Sequence, residues 1–205
     1  MIKNIVFDVG NVLVDFKPKE YIAKFSFSKE VQEQLYEIVF KSPEWLECDR
    51  GIYSTIAEYR DILIQQNPNL KEPLEQVLHT DWVKMHIEKQ DTIAWLKEMK
   101  NRGYHIYLFS NCAQETFEYM KTLSFYPYIE GGAYSFEKHW CKPEEELYQY
   151  LFKKYLIKPE ESIFLDDNVD NIKQAKICKM HGIVFENIDK AKQSVEAIIK
   201  EEEKI

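Results

Sequence analysis

Four clusters of polar residues carry the types that metal-assisted phosphoryl chemistry needs. They are Asp8-Val9-Gly10-Asn11, Ser110-Asn111, Lys142 ahead of Pro143, and Asp166-Asp167-Asn168 followed by Asp170. Three of them stand directly after a short apolar run. An acid in that place can equally cap a following helix, so any one cluster alone leaves both readings open. Four in this order are harder to explain by capping. Two carboxylates about 4 Å apart repel by roughly 4 kcal/mol at an effective dielectric of 20. If Asp8, Asp166 and Asp167 converge, a positive charge must join them. An all-oxygen donor set selects a hard cation, and Mg2+ is the usual companion of phosphate substrates. Lys142 would add a second positive charge, able to hold a phosphoryl oxygen and keep Asp8 ionised. Ser110 and the Asn111 backbone amide would supply neutral donors to the same phosphate.

These clusters need a frame that brings them to one place. The runs Ile5-Val6-Phe7, His105-Ile106-Tyr107-Leu108-Phe109, Ile163-Phe164-Leu165 and Gly182-Ile183-Val184-Phe185 have no internal alternation, as expected of parallel strands buried on both faces. Helical patterns lie between them. Ile93, Leu96 and Met99 recur every three residues before a stop at Asn101-Arg102-Gly103. Leu147, Leu151 and Tyr155, and then Ile172, Ala175 and Cys178, repeat the pattern. Pro143 disfavours a helical conformation at Lys142 and suits the first turn of the helix that follows. Strand and helix alternating at this spacing predict an α/β fold with a doubly wound parallel sheet. In such a sheet, ligands bind beyond the carboxyl ends of the strands.

Residues from about 17 to about 89 read differently, with helical periodicity, many aromatics and no convincing strand. Asn67-Pro68 breaks one helix and Lys71-Glu72-Pro73 marks another boundary. The expected organisation is an α/β core of residues 1–16 and 88–205, with a helical cap domain of residues 17–87 inserted after the first strand. Thr55 and Glu58 have capping-box spacing at the start of one of its helices. Phe40, Trp45, Tyr53 and Trp82 would form its core, with one or two of them lining a pocket over the phosphate site.

The order Phe7-Asp8-Val9-Gly10-Asn11-Val12-Leu13, Phe109-Ser110-Asn111, Lys142-Pro143 and Leu165-Asp166-Asp167-Asn168 resembles the four motifs of the haloacid dehalogenase-like hydrolases. The motifs span nearly the whole chain. With its helical insert, Asp-x-Gly-Asn-Val opening and Arg50-Gly51 turn, the sequence resembles bacterial sugar phosphatases of the alpha-D-glucose-1-phosphate phosphatase type. The resemblance implies a magnesium-dependent phosphatase working through an aspartyl-phosphate on Asp8. Asp8 would also be a metal ligand, with the Gly10 carbonyl, Asp167, and Asp166 directly or through water. Ser110 and Asn111 would bind the transferring phosphoryl group, and Lys142 would steady it. The chain departs from the superfamily's phosphatases at Gly10, where most carry an aspartate that serves as general acid and base. Asp15 or a cap residue near Asp49 could replace it. Alternatively, the substrate could be a sugar 1-phosphate, whose anomeric hydroxyl needs little protonation, or turnover could be weak. The last case would make the chain a phosphate-ligand-binding protein. A haloacid dehalogenase proper would use the same aspartate without metal and would have no use for the Asp166-Asp167 pair. A nucleotidase would use the cap's aromatics to stack a base.

Composition narrows the partners. The 205 residues are 45% hydrophobic and 14% aromatic, and 27 basic against 35 acidic residues give a net charge of −8. That balance disfavours nucleic acid and anionic membrane. A small phosphorylated substrate remains compatible with it, because a local field can oppose the net charge. Cys48, Cys112, Cys141 and Cys178 lack paired metal-ligand spacing and suit a reducing compartment. The opening Met1-Ile2-Lys3-Asn4-Ile5-Val6-Phe7-Asp8 meets an acid too early for a secretion signal. No apolar run approaches the ~20 residues of a membrane span. A cytoplasmic monomer or homodimer is expected. His79, His86, His105, His139 and His181 show no metal-binding spacing; His139 stands nearest the lysine motif. Asp170 and Asn171 could help orient Asp167 or cap the next helix, and the cap is the favoured expectation.

Overall fold

A computed structural model of the chain describes residues 1–79, 81–202 and 204. The chain opens with β1 (Asn4–Phe7) and β2 (Val14–Phe16). Five helices follow: α1 (Pro18–Ile22), α2 (Lys29–Phe40), α3 (Pro43–Asp49), α4 (Ile56–Gln66) and α5 (Lys71–Val77). After β3 (His86–Glu88) come α6 (Gln90–Asn101), β4 (His105–Ser110), α7 (Gln114–Met120), β5 (Gly131–Tyr134) and α8 (Glu145–Tyr155). The chain then runs through β6 (Ser162–Asp166), α9 (Val169–Ile177), β7 (His181–Val184) and α10 (Ile188–Glu202).

The main sheet is parallel throughout, in the order β5-β4-β1-β6-β7. Both faces are covered. Ile5, Phe7, Ile106, Leu108, Ile163 and Leu165 point to one face and pack with Ile93, Leu96, Val195 and Ile199 of α6 and α10. Val6, Tyr107, Phe109 and Phe164 point to the other and pack with Leu147, Leu151, Ile172 and Ala175 of α8 and α9. Burial on both faces explains why these strands read as unbroken apolar runs. Each buried Leu, Ile or Phe contributes about 1.5–3 kcal/mol relative to exposure. The four cysteines are free and buried. Among the described residues, no helix is long and apolar enough to cross a membrane.

Three expectations need correction. The sheet has a fifth strand, β5, hidden because it begins Gly131-Gly132. The glycines are needed there: a Cβ on Gly131 would lie 2.3 Å from the Tyr155 ring, and one on Gly132 would lie 2.6 Å from the Leu108 carbonyl oxygen. Tyr155 instead donates to Gly132 O and accepts from Gly132 N at 3.1 and 2.9 Å. The stretch from 17 to 89 does contain a strand, since β3 pairs antiparallel with β2 through Val14↔Glu88 and Phe16↔His86. Three residues per strand are too few to register as periodicity. Pro143 is not in the first turn of α8. It forms a turn with Lys142, across a cis peptide, and α8 begins at Glu145.

Helices α1–α5 pack around a cluster of their own that includes Leu35, Val39, Tyr59, Leu63, Leu74 and Trp82, with Ala113 joining from outside. Asn67-Pro68 ends α4 as expected. Thr55 caps its start, accepting from Glu58 N at 3.2 Å, while the Glu58 carboxylate accepts from Ser54 N at 2.7 Å. The β2–β3 ribbon closes the helical segment where the chain leaves and rejoins the sheet.

Candidate active site

The strand order reverses at β1, which has β4 on one side and β6 on the other. Asp8 follows β1, Ser110 ends β4 and Asp166 ends β6, so three of the sequence clusters meet at one sheet edge. Parallel register makes this unavoidable: Phe7 is level with both Leu108 and Leu165, and Asp8 N donates to Leu165 O at 2.9 Å.

Lys142 completes the set. Its ammonium is buried and donates to Asp8 Oδ1 at 2.8 Å, Asp166 Oδ2 at 2.6 Å and Phe109 O at 2.8 Å. Three protons meet three acceptors, which satisfies the group in full. Burial pulls the lysine's pKa down, but the carboxylates of Asp166 and Asp8 outweigh it and the net shift is upward. The turn carrying Lys142 is held by Asn111, whose amide donates to Lys142 O at 3.1 Å and whose Oδ1 accepts from Lys142 N at 2.8 Å. Asn111 thus spends its side chain on the lysine backbone.

Asp166 is fully buried and serves as the anchor. Besides Lys142, it accepts from Asn168 N at 2.8 Å and from Asn171 Nδ2 at 3.0 and 2.9 Å. The expectation that Asp170 and Asn171 cap α9 is therefore corrected: Asn168 is the cap, accepting from Asp170 N at 2.8 Å, and Asn171 holds Asp166. Asp167 is exposed. Its Oδ2 accepts from Asn11 Nδ2 at 2.8 Å, and Asn11 Oδ1 in turn accepts from Phe16 N at 3.2 Å. Asn11 sits at φ +57, a left-handed conformation that asparagine tolerates better than most residues.

The donor set fits a divalent cation. One oxygen from each of Asp8, Asp166 and Asp167 can be chosen so that all lie within 4.8 Å of one another. Three carboxylates facing one ammonium leave a formal excess of two negative charges. The Asp8 pKa is pushed up to about 7, first by burial and then by the charges of Asp166 and Asp167, against the pull of Lys142. Oxygen ligands of this kind are those that magnesium takes.

Beside this cluster lies a cavity of about 150 Å³ lined in part by Gly10, Ser110, Asn111, Phe16, Trp45, His86 and Asp49. Aromatic rings line one side: Phe16 stacks on His86 at 5.4 Å and on Trp45 at 5.9 Å between centroids. Of the four aromatics expected in the insert, Trp45 reaches the cavity, while Trp82 and Phe40 are buried in the insert's cluster with Tyr53 packed against it. A Cβ built on Gly10 would meet nothing within 4 Å. The space a side chain would occupy there is open.

Asp49 enters from the helical insert, at the end of α3. Its turn is pinned to the core. Arg50 Nη1 donates to His139 O at 2.8 Å, the His139 ring donates to Arg50 O at 2.7 Å, and Arg50 forms an ion pair with Glu144. Gly51, at φ +74, comes so close to Phe136 that a Cβ would lie 2.8 Å from that residue's Cβ. Ser135 Oγ donates to Asp49 O and accepts from Cys112 N at 2.8 Å. Burial and the nearby Asp8 push the Asp49 carboxyl up to about 7, against the pull of Lys142 and of the Ala113 amide. Asp15 is elsewhere, in β2, near Lys17 and Lys89.

Asn11, Ser135 and Asn171 escape a reading of residue types. Each is an ordinary turn, loop or cap residue in the sequence; Asn11 and Ser135 act on partners distant in the chain, and Asn171 reaches back to Asp166.

A model of the haloacid dehalogenase-like hydrolases matches residues 2–178. No curated protein matches the chain. Among solved structures, an enzyme of this family from Bacteroides thetaiotaomicron, in complex with magnesium and inorganic phosphate, aligns with a TM-score of 0.68 and 22% identity over 89% of this chain and 93% of that one. A predicted hydrolase of the same kind from Porphyromonas gingivalis aligns at 0.69 and 21%, over 89% and 90%. The L-2-haloacid dehalogenase of Xanthobacter autotrophicus aligns at 0.64 and 16%, over 89% and 76%.

Proposed function

The chain belongs to the haloacid dehalogenase-like hydrolases, and on that footing we propose that it is a magnesium-dependent phosphomonoester hydrolase acting on a small phosphorylated metabolite. The favoured substrate is a sugar phosphate, and among these a sugar 1-phosphate. The observation that carries the reading is the Asp8–Lys142–Asp166 arrangement with Asp167 in reach of the same cation.

In this reading Asp8 attacks phosphorus and forms an aspartyl-phosphate, which water then hydrolyses. Lys142 holds Asp8 in position and balances negative charge on the transferring group. Ser110 and the Asn111 amide bind the phosphoryl oxygens. The cation, held by Asp8, Asp167 and the Gly10 carbonyl, neutralises phosphate charge when bound. Asp166 has its oxygens occupied by Lys142, Asn168 and Asn171, which suits a contact through water. Residues 17–87 act as a cap that excludes water and sets specificity over a core of 1–16 and 88–205.

The Bacteroides protein's complex with magnesium and phosphate supports this reading. Displacing halide from carbon gathers no charge on non-bridging oxygens, so it leaves the Asn11–Asp167 pair without a task. The empty space at Gly10 favours a leaving group that departs with little protonation, and an anomeric hydroxyl is such a group. Turnover of a hexose 1-phosphate against the matching 6-phosphate tests the substrate. Preference for the 6-phosphate would remove the sugar 1-phosphate assignment.

A further inference from the structure

An acidic leaving group eases the first half of such a reaction and does nothing for the second. The water that opens an aspartyl-phosphate must lose a proton whatever alcohol has left. No side chain at position 10 can take it, because Gly10 has none and its surroundings are open. Asp8 carries the phosphoryl group at that stage, while Asp166 is saturated by Lys142, Asn168 and Asn171. Two other titratable groups with oxygen or nitrogen line the same cavity, Asp49 and His86. The His86 Nδ1 is 2.8 Å from Val83 O, a bond that requires its proton there, and burial lowers the ring's pKa. Its other nitrogen therefore has no proton for a departing oxygen, and the lowered pKa makes it a weaker proton acceptor than Asp49.

We propose that Asp49, brought from the helical insert, is the proton-transfer residue of this enzyme, acting across the space left open at Gly10. The inference rests on the phosphatase reading. Three contacts hold Asp49 where this role needs it: Ser135 on its carbonyl, Arg50 on His139 and Glu144, and the close approach of Gly51 to Phe136. A carboxyl raised to about 7 is available in both protonation states near neutral pH. In the first step the Asp8 carboxylate oxygen bonds to phosphorus, the ester P–O bond breaks, and the departing oxygen, where it is basic enough to need one, takes the Asp49 proton. In the second, a water oxygen bonds to phosphorus and the Asp8 O–P bond breaks. The water's proton returns to Asp49, and inorganic phosphate leaves.

The test uses the full chain with magnesium, comparing wild type, Asp49→Asn, Asp49→Glu and the double variant Asp49→Asn/Gly10→Asp on phosphate esters of graded leaving-group acidity. With alkyl esters, Asp49→Asn should lose roughly 10²–10⁴-fold. With 4-nitrophenyl phosphate it should show a burst of nitrophenol followed by slow turnover, because only the second step still needs the proton acceptor. Asp49→Glu should retain part of the activity, and Gly10→Asp should recover at least about tenfold of what Asp49→Asn lost. An active wild type with a folded Asp49→Asn within threefold of it would overturn the inference alone. So would a loss equal on all esters, without burst or rescue, which marks a merely structural residue. A wild type silent on every ester would overturn the phosphatase reading and this inference together.

Discussion

Lys142 Nζ lies 2.6 Å from Asp166 Oδ2 and 2.8 Å from Asp8 Oδ1, so the lysine is anchored by one carboxylate while it serves another. Asp166 is fully buried, whereas Asp8 keeps an edge open at the sheet. Removing the lysine's charge leaves two buried carboxylates facing each other. Lys142→Met should therefore destabilise the protein by about 3–5 kcal/mol, the range for breaking a buried pair from one side. Denaturant unfolding measures this, and a loss below about 1 kcal/mol would contradict the anchoring account.

Asn171 spends its amide on Asp166 alone. Asn171→Ala should cost about 1–3 kcal/mol, because a buried carboxylate loses a donor. Turnover should fall with it as the lysine loosens. Unchanged stability would contradict the anchoring of Asp166 by Asn171.

Asn11 touches Asp167 and neither Asp8 nor Lys142 in any hydrogen bond. If Asp167 is a metal ligand, Asn11→Ala should raise the magnesium concentration needed for half-maximal activity by roughly 10–100-fold, as expected when a partner of a ligand is lost. Maximal rate at saturating magnesium should change less. A loss of rate that added magnesium does not relieve would speak against this position for the cation.

Asp49 titrates from 3.8 in its ordinary state to about 7 in the fold, first through burial and then through the charge of Asp8. Between those values the folded chain keeps a proton that the unfolded chain has released. Its contribution to stability is thus present at low pH, declines as pH rises from about 4 to about 7, and is lost above. Asparagine does not titrate. In chelator, Asp49→Asn should melt several °C above wild type at pH 8, with the difference shrinking toward pH 5. A pH-independent difference would contradict the shift.

The central geometry was legible because parallel strands deliver their carboxyl ends to one edge. Once Ile5–Phe7, His105–Phe109 and Ile163–Leu165 read as buried parallel strands, Asp8, Ser110 and Asp166 had to meet. What remained hidden was hidden for physical reasons. Gly131 and Gly132 have low strand propensity, yet β5 needs them, because Tyr155 packs where a Gly131 side chain would be and the Leu108 carbonyl and Tyr134 ring lie where a Gly132 side chain would be. The β2–β3 ribbon is too short to show a period. Asn171 stands in the first turn of α9, where capping and reaching back to Asp166 demand the same residue type, and only the fold decides between them. The turn at Asp49 is a candidate for the missing acid in the sequence alone, but its placement is decided by Ser135 on the Asp49 carbonyl and Phe136 against Gly51, more than eighty positions later.

Phosphate release from a panel of sugar phosphates and nucleotides, by wild type and Asp8→Asn with magnesium or chelator, tests the central claim most directly. The account predicts release that needs magnesium and that Asp8→Asn abolishes while remaining folded. Release that persists in folded Asp8→Asn, or in chelator, would contradict it.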